Sequence, residues 1–182
     1  MRITWKGPYS WPGFESVCNL KKLPKTYGVY ILTFKYRNGY MIYCPGETGQ
    51  PFINRFKQHQ YKYMNGEYHV LDIDSAVDGK RKLIWRGWSY HDNERIKFEA
   101  NKKNILAVIK QLAGFRIFIT KIGNKRIRNR LEAAIIEYLE NQPLSIIDKG
   151  MFRSSRKDSE KIITVVNNCN YKIYGLPKNL EI

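Results

Sequence analysis

The sequence contains little cysteine, few acidic residues and no long apolar segment. Its three cysteines, Cys18, Cys44 and Cys169, form no CxxC pair, which argues against a disulfide framework or a zinc site and favours a reducing compartment. No apolar run reaches the roughly 18 residues of a membrane-spanning helix, and the first residues lack the apolar stretch of a signal peptide. We therefore expect a cytoplasmic protein.

The balance of charge is the strongest compositional signal. The 182 residues include 32 Lys and Arg against 16 Asp and Glu, a net charge of +16. Such self-repulsion usually reflects a polyanionic partner, and nucleic acid is the leading candidate. An anionic membrane surface is the weaker alternative, because no basic amphipathic helix carries an aromatic apolar face. An apolar fraction of 43% indicates one folded domain with a buried core.

Apolar periodicity predicts an α+β fold. We expect strands at 27–34, 40–44, 82–90 and 115–122, and helices at 51–64, 93–113 and 125–141. A type I′ turn at Asn38-Gly39 joins the first two strands, and the segment CPGETGQP then breaks the sheet. Residues 1–26 read as an irregular arm, 27–147 as the core with an insertion at about 67–113, and 148–182 as a carboxy-terminal extension.

The predicted hairpin places two tyrosines on one face of the sheet. A two-residue turn at Asn38-Gly39 pairs Phe34 with Tyr43, so Tyr30 and Tyr43 point to the same side. The same register leaves them on the order of 13 Å apart, unless a bulge shortens the distance or the following turn folds back. The alternative is that both tyrosines serve only in aromatic packing.

The predicted helix at 51–64 carries a cation beside an imidazole. Arg55 and His59 are neighbours at i and i+4, His59 within the apolar stripe and Arg55 at its edge. A bound phosphate would satisfy this arginine through two hydrogen bonds. The alternative is a packed core histidine beside a solvated arginine.

Glu132 lies on the apolar flank of the helix at 125–141, whereas Glu137 and Glu140 lie on its far side. A carboxylate in such a position must be neutralised, paired or bound to a metal. Mg²⁺, or Mn²⁺ in its place, takes oxygen ligands of this kind, with water and substrate phosphate completing the shell. The alternative is an ion pair with Arg128 or Arg55.

Two basic segments are candidate nucleic-acid contacts, because lysine and arginine bind phosphates and neighbouring aromatic rings stack on bases. Their alternative is a solvated surface. The residues are Lys80, Arg81 and Lys82, followed by Trp85, and Lys121, Lys125, Arg126 and Arg128, which precede Glu132.

Taken in order, these motifs resemble the GIY-YIG nuclease family over about residues 27–147. Gly28-Val29-Tyr30 is similar to the first motif and Tyr43-Cys44-Pro45-Gly46 to the second, although the second carries extra residues. Arg55-x-x-x-His59 is similar to the arginine and histidine of the family's first helix, and Glu132 to its metal-binding glutamate. The resemblance implies a small antiparallel sheet of about three strands flanked by helices.

The resemblance also implies a Mg²⁺-dependent endonuclease that cuts DNA one strand at a time. Glu132 would hold the metal, Arg55 would offset transition-state charge, and Tyr30, with Tyr43 or His59, would orient or deprotonate water. Whether Tyr30 or His59 is the base stays open, as does whether Asn141 or Ser145 replaces a family asparagine. We expect a monomer or homodimer that acts on double-stranded DNA as a restriction-like enzyme. The alternative is a non-catalytic basic nucleic-acid-binding protein.

Overall fold

The computed structural model describes residues 1–87, 92–143, 146–147, 157 and 159–182. In chain order these residues form β1 (Arg2–Thr4), β2 (Lys6–Tyr9), α1 (Glu15–Cys18), β3 (Gly28–Tyr36), β4 (Gly39–Thr48), α2 (Phe52–Met64), β5 (Val70–Leu71), α3 (Ile73–Val77), β6 (Leu83–Trp85), α4 (Asp92–Ala100), α5 (Lys102–Gly114), β7 (Arg116–Thr120), α6 (Lys125–Glu140), β8 (Thr164–Asn168), β9 (Ile173–Tyr174) and β10 (Asn179–Glu181). Among them, no helix is both long enough and apolar enough to cross a membrane.

The main sheet has five strands in the order β2-β7-β3-β4-β9. Its centre, β7-β3-β4, is the predicted antiparallel three-stranded unit, and the α+β class is confirmed. The predicted strand number was too low, because β2 pairs with β7 at one edge and β9 adds in parallel to β4 at the other. Both are short, and β2 contains Pro8, so neither shows the periodicity of a strand.

Strand β3 separates two hydrophobic clusters, since alternate residues face opposite sides of a sheet. Tyr30, Leu32 and Phe34 belong to the cluster covered by α2 and α5. Val29 and Ile31 belong to the cluster covered by α6. The apolar run predicted as a strand is therefore buried on both faces of the sheet.

The β3–β4 hairpin differs from its prediction at the turn. Tyr36 pairs with Gly39, so the two turn residues are Arg37 and Asn38, and Arg37 adopts a left-handed φ of 49°. The predicted turn at Asn38-Gly39 was therefore displaced by one residue. A bulge then shifts the register between Leu32 and Thr33, which increases the local twist.

Strand β4 also continues through the segment that was predicted to break the sheet. Pro45 pairs with Ile31 and Gly46 with Tyr30. A proline is tolerated in a strand where its missing N–H would face an open edge, and β9 covers β4 only at Tyr40 and Met41. The carboxy-terminal half of β4 is therefore an edge.

The two end segments of the chain meet each other. Strand β8 pairs in parallel with β1 and antiparallel with β10, forming a three-stranded sheet. Ile3, Trp5 and Val165 join the cluster under α6. The predicted irregular arm thus contributes strands to two sheets.

The inserted segment at 67–113 packs against the cluster under α2. Asn101 divides the predicted helix at 93–113 into α4 and α5, because its side chain caps the first turn of α5. The predicted strand at 82–90 is limited to β6, and residues 88–91 lie outside the described part of the chain. The Gln111 side chain accepts a hydrogen bond of 2.6 Å from the Leu71 backbone, joining α5 to β5.

Substitution Gln111→Ala should therefore destabilise the fold. Gln111 is fully buried, so the variant leaves the Leu71 N–H without a partner and opens a cavity, at a cost of about 2–3 kcal/mol. Urea unfolding measures the change, and Lys110→Ala, on the exposed face of the same helix, is the control. Equal unfolding midpoints for the two variants would contradict the role given to Gln111.

Candidate active site

All five predicted catalytic residues line one open cavity of about 520 Å³. Tyr30 comes from β3, Tyr43 from β4, Arg55 and His59 from α2, and Glu132 from α6. The lining also contains further polar and aromatic side chains, Cys44, Tyr63, Tyr68 and His69. Residues about a hundred positions apart in the chain thus converge at one place.

Tyr30 is the centre of the site's hydrogen bonding. Its hydroxyl lies 2.8 Å from His59 Nε2 and accepts a hydrogen bond from the Arg55 guanidinium. Its ring packs edge-on against Phe52 and Phe56. Burial, and then the neighbouring Cys44, raise the pKa of Tyr30 far above its ordinary value, although Arg55 opposes the change. Tyr30 is therefore a neutral phenol at physiological pH.

His59 bridges two tyrosines, because its Nδ1 lies 3.0 Å from the hydroxyl of Tyr68. Burial, and then the charges of Arg55 and Lys62, lower the pKa of His59 to about 3. The imidazole is therefore neutral across the physiological range. Tyr30 and His59 therefore form a hydrogen-bonded pair in which both groups are neutral.

Glu132 lies beside the open edge of β4. Its carboxylate accepts a hydrogen bond from the backbone N–H of Glu47, which satisfies a donor that no strand pairs. Burial, and then the Glu47 carboxylate, raise the pKa of Glu132 to about 7, and Arg55 acts in the opposite direction. Glu132, which was predicted on the apolar flank of its helix, therefore has too little positive charge around its carboxyl group to keep an ordinary pKa.

Arg128 does not pair with Glu132, as one alternative had proposed. Its Nε donates to the Glu47 carboxylate at 2.8 Å, and Nη1 donates to the carbonyls of Ile122 and Gly123. Only 5% of Arg128 is exposed. The nucleic-acid contact predicted at Arg128 stays a prediction, and in the fold its buried guanidinium binds the Glu47 carboxylate.

The donor set fits a hard divalent ion held by few protein ligands. Among the described residues, no group of three or more His, Cys, Asp or Glu side chains could enclose a metal. Glu132, beside Glu47, supplies carboxylate oxygen of the kind that Mg²⁺ or Mn²⁺ prefers, with room for water and phosphate. Arg55 also fits a site for an anion such as phosphate, because its buried Nε has no hydrogen-bond partner.

Tyr43 faces the cavity from within the aromatic core. It is 5% exposed, packs against Phe34 and Phe115, and shares a hydrogen bond with Tyr63. The predicted common face with Tyr30 is present, and the displaced turn places Tyr43 beside Leu32 and Thr33, closer to Tyr30 than the predicted register allowed. These contacts agree with the packing alternative for Tyr43.

Sequence reasoning missed three groups at the site. Cys44 lines the cavity beside Tyr30, Glu47 faces Glu132, and Tyr68 contacts His59. A carboxylate directly after Gly46 was a usable signal for Glu47. Tyr68 lies between α2 and β5, outside any periodic segment, so no pattern marked it.

The predicted basic residues do not form one surface. Lys121 and Lys125 are exposed near the start of β3, where the Thr120–Ile122 backbone packs against Gly28. The exposed segment 80–82 follows Gly79, which packs against Tyr36 at the other end of β3, about 27 Å away. Arg126 forms a two-bond ion pair with Glu160, and its role as a nucleic-acid contact stays a prediction.

Helix α2 provides a basic surface that the sequence patterns did not reveal. Its outer side forms an open depression that shares Arg55 and His59 with the cavity. The other residues along it are Lys57, Gln58, Tyr61 and Lys62. Tyr61 is 62% exposed, and α2 contains no acidic residue, so this surface suits a strand of nucleic acid.

No protein-family model, curated protein or solved structure matches the chain. A proposal for the function of the protein therefore rests on the geometry of the site. Of the two candidates for a family asparagine, Asn141 caps α6 and donates to the Glu137 carbonyl at 3.0 Å. Ser145 lies outside the described residues.

The burial of His59 predicts an imidazole that does not titrate near neutrality. The His59 ring carbon shift in NMR should stay constant from pH 5 to 8, and in urea it should change near pH 6.5. Because the folded-state pKa is lowered, His59 contributes stability above pH 6.5 that is lost as pH falls towards 3. His59→Gln assigns the signal, and a folded-state midpoint near 6.5 would contradict the burial effect.

Proposed function

We propose that the protein is a divalent-metal-dependent endonuclease that hydrolyses phosphodiester bonds of DNA. The observation that carries this proposal is the meeting of Tyr30, Arg55, His59 and Glu132 in one open cavity. A phenol, an imidazole, a fixed cation and an acidic oxygen ligand are the groups that phosphodiester hydrolysis needs. The resemblance of the same residues to the GIY-YIG family points to the same chemistry.

Glu132 is the residue that would hold the metal ion, with Glu47 beside it. When bound, Mg²⁺ supplies Lewis-acid chemistry that polarises the scissile phosphate and stabilises the leaving oxygen. A cation would also favour the ionised form of Glu132, whose pKa burial raises to about 7.

Arg55 is the phosphate-binding cation of the proposed site. Its buried Nε has no partner, and a guanidinium can hold two oxygens of one phosphate. The same charge offsets the negative charge that grows in the pentavalent transition state. Tyr30 and His59, already hydrogen-bonded to each other, orient the attacking water and accept its proton.

The DNA would approach over the outer side of α2, which is continuous with the cavity through Arg55 and His59. Lys57 and Lys62 lie there, and Lys121 and Lys125 lie beyond the start of β3. These lysines would contact backbone phosphates and place the duplex without reading its sequence. We propose the inserted segment at 67–113 as the element that reads sequence, in a restriction-like enzyme.

Cleavage of supercoiled plasmid tests the proposal directly. With Mg²⁺ or Mn²⁺ the protein should convert plasmid to nicked and linear forms, and EDTA should prevent it. Glu132→Gln should slow cutting by at least about 10²-fold, and Arg55→Ala by a comparable factor. Discrete fragments indicate a sequence-specific enzyme, whereas nicking alone removes the restriction-like role. Plasmid binding without cleavage under any divalent ion would leave the non-catalytic nucleic-acid-binding alternative.

A matched control separates chemistry from folding in that assay. Glu137 lies on the exposed side of the same helix, so Glu137→Gln changes the same charge by the same substitution away from the cavity. It should cut at the wild-type rate. Equal losses for the two glutamine variants would indicate a general effect on α6.

Thermal unfolding tests the role of Glu132 without any nuclease assay. Its raised folded-state pKa means that stability present below pH 4.5 is lost as pH rises through 7. At pH 8, Glu132→Gln should therefore be more stable than wild type by about 2–3 kcal/mol, and at pH 4.5 nearly equal. Added Mg²⁺ should stabilise the wild type and leave the variant unchanged. Equal Mg²⁺ shifts in both proteins would remove Glu132 as the metal ligand.

Salt-dependent binding locates the path of the DNA. In a Glu132→Gln background that prevents cutting, Lys57→Ala should weaken binding of a duplex and reduce the salt slope by about one. Lys178→Ala, an exposed lysine next to β10 and outside the inserted segment, should change both much less. Fluorescence anisotropy measures the slopes, and a larger effect at Lys178 would place the duplex over the three-stranded sheet instead.

A further inference from the structure

A continuous hydrogen-bonded chain runs from the interior of the cavity towards its outside. Tyr30 contacts His59 Nε2 at 2.8 Å, and His59 Nδ1 contacts the Tyr68 hydroxyl at 3.0 Å. Tyr30 is 3% exposed, whereas Tyr68 is only half-buried. The hydrogen-bonded chain therefore joins the buried hydroxyl of Tyr30, on the cavity wall, to the half-buried Tyr68.

The direction of these hydrogen bonds follows from Arg55. A guanidinium only donates, so the Tyr30 oxygen accepts from Arg55 and its own hydroxyl proton is free for His59. His59 Nε2 then accepts that proton, and the neutral ring carries its hydrogen on Nδ1. The Nδ1–H donates to the Tyr68 oxygen, whose hydroxyl proton points away from the ring.

The groups around the chain keep it neutral and leave its outer end accessible. Arg55 and Lys62 lie on α2, Glu67 follows that helix, and Cys44 lies on β4; these are the groups that act on Tyr68 or His59. The Lys62 ammonium is 5.5 Å from the centre of the Tyr68 ring and pairs with Glu67 at 3.0 Å. A second cation close to the imidazole disfavours a trapped imidazolium.

We propose that Tyr68, jointly with Tyr30, holds His59 as the Nδ1–H tautomer and is the exit of a proton relay that begins at Tyr30. The relay rests on the proposed nuclease function. Tyr68 acts through His59 and is therefore a positioning residue, supplied by the inserted segment.

The proposed step moves one proton without charging any member of the relay for long. As the water oxygen bonds to phosphorus, the bond from phosphorus to the leaving oxygen breaks, and that oxygen takes a proton from solvent. The proton of the attacking water passes to the Tyr30 oxygen, and the Tyr30 hydroxyl proton passes to His59 Nε2. His59 releases its Nδ1 proton to the Tyr68 oxygen, and Tyr68 releases its hydroxyl proton to solvent. Through the relay, the attacking water loses one proton and solvent gains one. Afterwards the hydrogens of the chain return by exchange with solvent through Tyr68.

Tyr68→Phe tests the relay, because it removes one hydroxyl and retains the ring. In the wild-type protein without DNA, long-range ¹H–¹⁵N NMR should show His59 as the Nδ1–H tautomer alone. In the variant, Nδ1–H loses its acceptor, so a mixture of tautomers should appear. With plasmid and Mg²⁺, kcat should fall about 10–100-fold with KM unchanged. Tyr171→Phe, an exposed tyrosine that packs against Tyr40 and Phe118 away from α2, should change neither reading.

The two readings separate failure of the relay from failure of the function. If Tyr68→Phe keeps either the wild-type tautomer or the wild-type kcat, the relay is overturned while the nuclease remains. If the wild-type protein cuts no nucleic acid, the proposed function fails and the proton relay fails with it. The NMR spectra then decide only whether Tyr68 sets the tautomer.

Discussion

The candidate site depends on the bulge in the β3–β4 hairpin. Without it, alternation along β4 would continue in one register, and the residues around Gly46 would face the opposite clusters. With it, Gly46 lies opposite Tyr30. A Cβ at this position would come within 2.3 Å of the Tyr30 ring, so the side chain of Tyr30 needs the glycine. The same stretch of β4 has an open edge, and there the Glu47 N–H meets Glu132.

Burial then determines the chemistry of the groups that the hairpin assembles. It favours the neutral form of each group, and so raises the pKa of Tyr30 and Glu132 and lowers that of His59. Arg55 resists this effect because a guanidinium does not lose its proton. The cavity therefore contains the positive charge of Arg55 and, at Glu132, a carboxyl group with little compensating charge. The phosphate and metal ion of the proposed function would bring a charge of opposite sign to each.

The parts of the fold that could be predicted from the sequence are those with regularly spaced apolar residues. The strand at Gly28, the helix with Phe52 and Phe56, and the helix of Glu132 each bury a regular stripe of apolar residues. The bulge, the continuation of β4 through Pro45 and the short edge strands have no such signature. They depend on which backbone groups find partners in the assembled sheet, and this is a tertiary property.

The same distinction applies to the site and to its basic surroundings. Arg55, His59 and Glu132 could be recognised in the sequence because each is a polar residue within or beside the apolar stripe of its helix. A net charge of +16 says that cations exceed anions but not which of them remain available. Arg128 and Arg126 belong to clusters that looked suited to phosphate, yet each is used by a carboxylate within the fold. Lys57 belongs to no predicted basic segment, yet it lies on the outer depression of α2 that Arg55 and His59 share with the cavity.

Besides the sequence reading proposed for it, the inserted segment at 67–113 supplies a direct contact to His59. A segment that only read DNA sequence could contact the core loosely and leave the catalytic groups complete. Here Tyr68 occupies the second nitrogen of His59, Tyr63 of α2 packs on the Tyr68 ring, and Gln111 ties α5 to the strand that follows. Removing residues 67–113 would therefore expose the imidazole and free its tautomer. The insertion is part of the site's electrostatic environment, and any change in it that alters DNA preference is expected to alter the behaviour of His59 as well.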